Sequence, residues 1–166
     1  HGVGMNPTRT GLLDILRSMG AKIEISNFRT EAGEPVADLV AKSSVLRGVN
    51  VPPALVSRTI DEFPVLSIAA AHANGVTRIS GAQELRFKES DRIAAVVAAL
   101  RSVGIEVSEQ SDGMVIEGGT IQEGTVDSRE DHRVAMAFAV AGAGAPGIFR
   151  IMNSAYVDSS FQDFQK

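Results

Sequence analysis

The chain has 166 residues, 44% of them hydrophobic and 22% charged, and its net charge is -4 at pH 7. It lacks cysteine, which excludes disulfides, thiolate metal sites and cysteine nucleophiles, and its three histidines do not have metal-ligand spacing. The negative charge argues against nucleic acid as a partner, and no stretch is long and apolar enough to cross a membrane. The composition therefore predicts one domain with a sizeable core.

Turn residues divide the first half of the chain into predicted helices and strands. Asn6 or Thr8 is placed to cap a first helix, which Gly20 ends. Asp61 is placed to cap a second helix, with Pro64 tolerated in its first turn. Strands are predicted where apolar and polar residues alternate. The predicted elements are helices at 12–19 and 65–73 and strands at 21–25, 38–42, 46–51 and 76–80.

The second half of the chain repeats this order of elements. Leu100-Arg-Ser-Val-Gly104 reproduces Leu16-Arg-Ser-Met-Gly20, and each is followed by a strand with the pair Ile-Glu. The apolar helix pattern that starts at Asp131 likewise reproduces the one that starts at Asp61. Two copies of an α-β-β-β-α-β unit are therefore predicted, followed by a partial third. The predicted units are 6–80, 84–151 and the incomplete 153–166, in which Ser160 is the candidate cap.

The densest group of charges lies at 84–92, where six of nine residues are ionisable. A nearly uncharged run follows, so these charges stand at the start of a predicted helix with Ser90 or Asp91 as its N-cap. The free amides of the first helical turn, together with Lys88 and Arg92, suit an anion such as phosphate or carboxylate. The alternative is a helix start that is charged only because it is solvated.

Charged residues precede the other predicted helices as well, at Arg9, Asp61, Glu62 and 131–133. If the two copies pack in parallel, several helix N-termini point the same way and their partial positive charges meet on one face. Such a face favours a polyanionic small ligand. Glycine-rich phosphate loops of the Walker or dinucleotide type are absent, so an ordinary nucleotide-binding fold is not indicated.

Four motifs occur in an order and spacing similar to those of a known enzyme family. They are Asn6-Pro-Thr-Arg-Thr-Gly11, Ile60-Asp-Glu-Phe-Pro64, Leu85-Arg-Phe-Lys-Glu-Ser-Asp-Arg92 and Asp131-His-Arg133. They resemble the C-terminal part of the EPSP synthase family, the 3-phosphoshikimate 1-carboxyvinyltransferases, over essentially all 166 residues. The resemblance implies an α/β fold of repeated βαβαββ units, the inside-out α/β barrel of enolpyruvyl transferases. It also implies that 1–166 is a single C-terminal-type domain whose third unit is incomplete, an excised portion of a larger protein.

The family's reaction transfers the enolpyruvyl group of phosphoenolpyruvate to the 5-hydroxyl of shikimate-3-phosphate and releases phosphate. By resemblance, Asp61 holds and deprotonates that hydroxyl, while Glu89 protonates the methylene carbon and later takes a proton back. Lys88 stands beside Glu89 as a cation or proton relay that also contacts substrate. Arg92 and Arg133 resemble the pair that binds the carboxylate of phosphoenolpyruvate, for which a forked guanidinium is suited.

The resemblance further implies a monomeric, cytoplasmic enzyme of the shikimate pathway, the glyphosate target of aromatic amino-acid biosynthesis, that needs no metal and no organic cofactor. Nucleic acid and membranes are not among the implied partners. One departure stands out. Many members carry a lysine that contacts phosphoenolpyruvate just before Thr-Phe-Pro, whereas this chain has Ser159 at that position. Ser159 at this position is interpreted as a difference between branches of the family and not as a loss of activity.

Structural roles are the alternative for each of these residues. Asp61 also suits an N-cap, Glu89 a surface carboxylate, and Arg92 and Arg133 ordinary ion pairs. Asp131 is interpreted as an N-cap or as the residue that orients Arg133. The sequence alone does not decide between the structural and the functional role of each residue.

Two further functions stay open on the sequence. A UDP-N-acetylglucosamine enolpyruvyl transferase shares the fold, but the run 88–92 is typical of the shikimate branch. The second open function is a non-catalytic module that binds anionic metabolites, or a fragment that works only by complementation. Because the family's residues for the shikimate phosphate lie in the other domain, we expect no measurable turnover from the isolated chain and at most weak anion binding.

Overall fold

The computed structural model describes residues 1–164 as a mixed α/β fold with two similar halves, in agreement with the predicted class. Each half has a helix, a two-stranded hairpin and a second helix that leads into a closing strand. The helices are α1 (Gly11–Ser18), α2 (Pro53–Val56), α3 (Phe63–Ala71), α4 (Arg92–Ser102), α5 (His132–Gly144) and α6 (Val157–Ser160), with 3-10 turns at Ser57–Thr59 and Gln83–Phe87. The strands are β1 (Val3–Gly4), β2 (Lys22–Glu31), β3 (Glu34–Lys42), β4 (Val76–Ile79), β5 (Val107–Gln110), β6 (Gly113–Glu117), β7 (Gly124–Asp127) and β8 (Phe149–Met152).

The closing strand of the first half pairs with the hairpin of the second half. β4 runs antiparallel to β6, with Val76 opposite Glu117 and Ile79 opposite Met114. β1 occupies on β3 the place that β4 occupies on β6. The sheets have the orders β1-β3-β2 and β4-β6-β5, and β7 and β8 form a parallel pair. The two halves are therefore joined by a shared sheet.

The core lies around α3, which is apolar on all sides as expected for a central helix. Phe63 and Leu66 of α3, Val96 of α4 and Phe138 of α5 are all buried. The one serine of α3, Ser67, is buried too, and its hydroxyl donates to the carbonyl of Phe63 at 2.9 Å. The three helices pack against one another, which fixes the relative positions of their N-terminal ends.

The strand predicted at 46–51 is wrong. This segment forms only two isolated parallel bridges, both with the chain in and just before β4. Gly48 lies between the bridges, where an added Cβ would stand 2.6 Å from the nitrogen of Val76. Four backbone hydrogen bonds join the segment to residues 74 and 78. The pairing is interrupted between the two bridges, so no continuous ladder forms. The strands predicted at 21–25 and 38–42 are longer in the structure than the alternation indicates.

The prediction that Asp61 caps α3 is wrong. Glu62 occupies the cap position without a side-chain bond, and α3 begins at Phe63 with Pro64 in its first turn, two residues earlier than predicted. The chain approaches α3 through a 3-10 turn, and Ile60 already has φ -57° and ψ -37°. An N-cap side chain needs an extended residue before the helix, and this approach does not provide one.

The other predicted caps divide into two groups. Neither Asn6 nor Thr8 caps α1, since Thr10 holds that position without a side-chain bond. The Asn6 side chain instead accepts from the Thr8 amide at 3.0 Å, which makes a local turn. At α4 the cap is Asp91, one of the two residues predicted, and not Ser90; its carboxylate accepts from a first-turn amide at 3.0 Å.

The tail differs from the prediction at Ser160, which is the last residue of α6 and not the cap of a following helix. The predicted third unit runs on to residues 165 and 166, which lie outside the described residues. Within residues 1–164, no helix is long and apolar enough to span a bilayer, and the longest, α5, has 13 residues.

Candidate functional site

The N-terminal ends of α3, α4 and α5 meet at one end of the core, as the helix-start charges indicated. Asp61 precedes α3, Arg92 opens α4, and Asp131 and Arg133 stand at the start of α5. Their side chains contact one another although they are up to 72 residues apart in the chain. The fold therefore gathers four charged residues from three helix starts into one group.

Arg92 lies at the centre of this group with a side chain that is 0% exposed. Its Nε donates to Asp131 Oδ2 at 2.8 Å, and its Nη2 donates to Glu89. Its Nη1 stands 3.8 Å from Asp61 Oδ1, too far for a hydrogen bond. A buried guanidinium is tolerated only when carboxylates compensate its charge, and here three of them come from three separate segments.

Asp131 joins the two helices that carry the arginines. Its side chain is 0% exposed. Oδ1 accepts from the backbone amides of Arg133 and Val134 at 2.9 and 3.3 Å, and Oδ2 accepts from Arg92 and from the Ser90 hydroxyl at 3.2 Å. The prediction of an N-cap is confirmed. The same carboxylate orients the side chain of Arg92, whereas for Arg133 it binds only the backbone.

Three arginines surround the carboxylate of Asp61. Arg133 Nη2 lies 3.4 Å from Asp61 Oδ2, and Arg133 Nη1 donates to the Asp61 backbone carbonyl at 3.3 Å. Arg9 Nη2 is closer, at 2.9 Å from the same Oδ2, and it also donates to Glu62 at 3.1 Å. The hydrogen bond that Arg9 donates to Glu62, and then the negative charges of Glu62 and Asp61, raise the pKa of Arg9.

Two buried arginine donors in this group have no hydrogen-bond partner within residues 1–164. They are Nη1 of Arg92 and Nε of Arg133. Buried donors are rarely left unpaired in folded proteins, so each such atom indicates a place where a ligand or water oxygen can bind. Both belong to residues that flank Asp61, so an anion placed there would adjoin a carboxylate able to accept a proton.

Glu89 and Lys88 lie next to this group, and their side chains pair with different residues. Glu89 is 47% exposed and is held by Arg92. Lys88 Nζ binds Glu84 at 2.7 Å instead, across one turn of the chain. The two side chains therefore have different partners, and Lys88, which follows the 3-10 turn, pairs back toward the start of that turn.

Sequence reasoning missed Arg86, which anchors the turn that carries Lys88 and Glu89. Its guanidinium donates to Asp91 at 2.7 Å and to two backbone carbonyls of the β5–β6 hairpin at 2.6 and 2.8 Å. The hydrogen bonds that Arg86 donates to Asp91 and then to Glu109 raise the pKa of Arg86. Its place inside the charged run at 84–92 was the only available signal, because its partners are distant in sequence.

A cavity of about 180 Å³ adjoins the group on the side of α3 and α5. Its polar end is formed by Asp61, Glu62 and Arg133, and its apolar walls are formed by Val65, Met136, Ala137, Val140 and Phe164, with Pro64 also in contact. Ser159, where many family members have lysine, is exposed in α6, and its hydroxyl donates to the carbonyl of Tyr156 at 2.7 Å.

The whole chain is similar to proteins of a known family. The family model described as EPSP synthase (3-phosphoshikimate 1-carboxyvinyltransferase) matches residues 1–166. The chain belongs to the EPSP synthase family. The 3-phosphoshikimate 1-carboxyvinyltransferases of Acidithiobacillus ferrooxidans and Legionella pneumophila are each 52% identical to it over 164 residues, which is 99% of this chain. The chain spans 38% of the length of these relatives.

Solved structures agree with the family assignment. An EPSP synthase from Acinetobacter baumannii superposes with a TM-score of 0.94 at 43% identity, covering 98% of this chain and 38% of that one. The enolpyruvyl transferase NikO from Streptomyces tendae shares the fold at 19% identity, with a TM-score of 0.66 over 95% of the chain. The resemblance read from the four motifs is thereby confirmed, and so is the enolpyruvyl-transferase type of fold.

Proposed function

We propose that this chain forms one wall of an active site that transfers the enolpyruvyl group of phosphoenolpyruvate to the 5-hydroxyl of shikimate-3-phosphate, with release of phosphate. The activity named for relatives at 52% identity supports this reaction. Because the chain spans 38% of those relatives, the opposite wall is expected from residues outside this sequence. That wall would supply the groups that bind the shikimate phosphate.

The observation that carries the proposal is the pair of buried, unpartnered donors on Arg92 and Arg133 within residues 1–164. Leaving a buried donor unpaired costs about 1–3 kcal/mol, which a bound carboxylate recovers. A ligand carboxylate that accepts from both donors would lie beside Asp61. Asp61 is then placed to take the proton of an approaching hydroxyl.

Glu89 is proposed as the group that protonates the methylene carbon and later removes a proton. Its carboxylate is held by Arg92 but remains half exposed, so it can face the opposite wall of a cleft. Lys88 is proposed as the adjacent cation. It is paired with Glu84 here, so this role requires a change of its side-chain rotamer when substrate binds.

The remaining parts of the proposal concern the working state of the protein. From the family resemblance we expect a monomer in the cytoplasm. We expect no metal and no organic cofactor, because the reaction needs only charged side chains, and no nucleic-acid partner, because the net charge is -4. The isolated chain is expected to bind anions weakly and to show no turnover, since it cannot hold both substrates.

The test is a two-dimensional amide NMR titration with phosphoenolpyruvate, followed by shikimate-3-phosphate. Phosphoenolpyruvate at millimolar concentration should shift the amides of 88–92 and of Arg133. Arg133→Gln should weaken this binding at least about tenfold, the effect of one lost charge-assisted hydrogen bond. The control Arg78→Gln removes the same charge from the exposed face of β4 and should leave the titration unchanged. Equal losses in both variants would contradict the proposed binding site.

A complementation fragment is the second candidate, favoured by the folded and largely buried charged group in a chain that spans 38% of its relatives. Mixing the chain with a separately produced remainder of a relative should restore turnover if the two parts form a split enzyme. Association without turnover would instead favour a module that only binds anionic metabolites.

A further inference from the structure

The motif Asn6-Pro-Thr-Arg-Thr-Gly11 is the one motif that the proposed function leaves without a role. Its loop is rigid. The Asn6 side chain accepts from the amide and the hydroxyl of Thr8 at 3.0 and 2.8 Å, and the Arg9 amide donates to the Asn6 carbonyl at 2.8 Å. These bonds fix the backbone of the loop from Asn6 to Arg9.

The same loop is fastened to the segment that precedes Asp61. Arg58 donates to the Pro7 carbonyl at 2.6 Å and to the Thr10 hydroxyl at 2.9 Å. Gly11 packs so closely on this segment that an added Cβ would stand 2.8 Å from the Cβ of Arg58. The position of Arg9 relative to Asp61 is therefore set by direct contact between the two segments.

The guanidinium of Arg9 then competes with Arg133 for one oxygen. Asp61 Oδ2 lies 2.9 Å from Arg9 Nη2 and 3.4 Å from Arg133 Nη2. Asp61 Oδ1 stays 3.8 Å from Arg92 Nη1. Asp61 is thus bound most closely by the most exposed of its three arginines, whose side chain is 51% exposed. Of the other two arginines, Nη1 of Arg92 and Nε of Arg133 have no hydrogen-bond partner within residues 1–164.

We propose that Arg9 is a positioning residue that holds the Asp61 carboxylate away from Nη1 of Arg92 and Nε of Arg133 and so keeps these two donors available for the carboxylate of the ligand. Without Arg9, the Asp61 carboxylate would rotate toward the two remaining cations and occupy the place of the anion. Only the identity of that anion rests on the proposed function. Arg9 itself need not touch the ligand.

The first test uses the ligand-free chain. Arg9→Gln should fold, because the side chain is half exposed and its ion pairs are screened by solvent. The amide spectrum checks this. In this variant the Nε–Hε signal of Arg133 is expected to shift as Asp61 moves toward Arg133. The control Arg78→Gln should leave the signal in place. An unchanged Arg133 signal in Arg9→Gln would overturn the inference, whether or not phosphoenolpyruvate binds.

The second test separates positioning from simple loss of charge. Arg9→Gln should weaken phosphoenolpyruvate binding about tenfold in the natural sequence. In an Asp61→Asn background, where no carboxylate can move into the anion's place, the same substitution should change binding less than about twofold. Equal losses in both backgrounds would show that Arg9 acts only through its charge, which overturns the positioning role. If the natural chain does not bind phosphoenolpyruvate, the proposed function fails and the ligand-free signals still decide this inference.

Discussion

Replacing Asp131 with asparagine tests the pairing at the centre of the candidate site. The asparagine keeps an acceptor for the amides of α5, because asparagine is as good an N-cap as aspartate. It removes the negative charge beside Arg92, whose side chain is 0% exposed and whose Nε lies 2.8 Å from the carboxylate. Breaking a buried ion pair by removal of one partner costs about 3–5 kcal/mol. That is a large part of the roughly 5–15 kcal/mol by which a domain is stable.

Urea unfolding followed by circular dichroism measures this loss as a lower midpoint with little change in slope. Asp91→Asn is the matched control. Asp91 is the N-cap of α4 and pairs with Arg86, but its side chain is 37% exposed, so its loss should cost about 1 kcal/mol or less. The double variant Arg92→Met with Asp131→Asn should recover much of the loss, because the uncompensated buried cation is gone.

A loss below about 1.5 kcal/mol for Asp131→Asn would refute this reasoning, since it falls under the range for an unpaired buried charge. It would mean that Glu89 and Asp61 alone compensate Arg92. A double variant that is no more stable than Asp131→Asn would refute the same reasoning from the other side.

Two further predictions concern stability outside the site. Glu130 has φ 63°, a left-handed conformation that costs a residue with a side chain about 1–2 kcal/mol. Glu130→Gly should therefore raise the free energy of unfolding by about 0.5–1 kcal/mol. The control Glu106→Gly, at a position without a positive φ, should lower it. Hydrogen bonds from Asn27 and then from the Gly2 amide lower the pKa of Asp38. Its stabilisation is therefore present above about pH 4 and is lost as the pH falls through its folded-state pKa. Asp38→Asn should accordingly flatten the pH dependence of the unfolding free energy below about pH 4, measured by urea unfolding over a pH series.

Much of the local structure could be predicted because it depends on neighbours in sequence. The periodicity of apolar residues located α1, α3, α4 and α5, and the caps Asp91 and Asp131 were read from residue type next to an apolar run. The cap at Asp61 was wrong because a 3-10 turn precedes it, so that Ile60 already has helical dihedral angles where a capped helix needs an extended residue. The strand at 46–51 was wrong because its parallel pairing with residues 74–78 is interrupted between two isolated bridges, where Gly48 packs closely on Val76.

The candidate site divides in the same way. The sequence by itself determined the family, through four ordered motifs, and with it the residue types that an enolpyruvyl transferase needs. Only the tertiary structure decided which charges meet. Arg9 binds Asp61 across 52 residues of chain, and Asp131 binds Arg92 across 39. Lys88 pairs with Glu84 and not with Glu89. Helix starts and caps follow from local backbone geometry, whereas the partner of a long charged side chain depends on how distant helices pack.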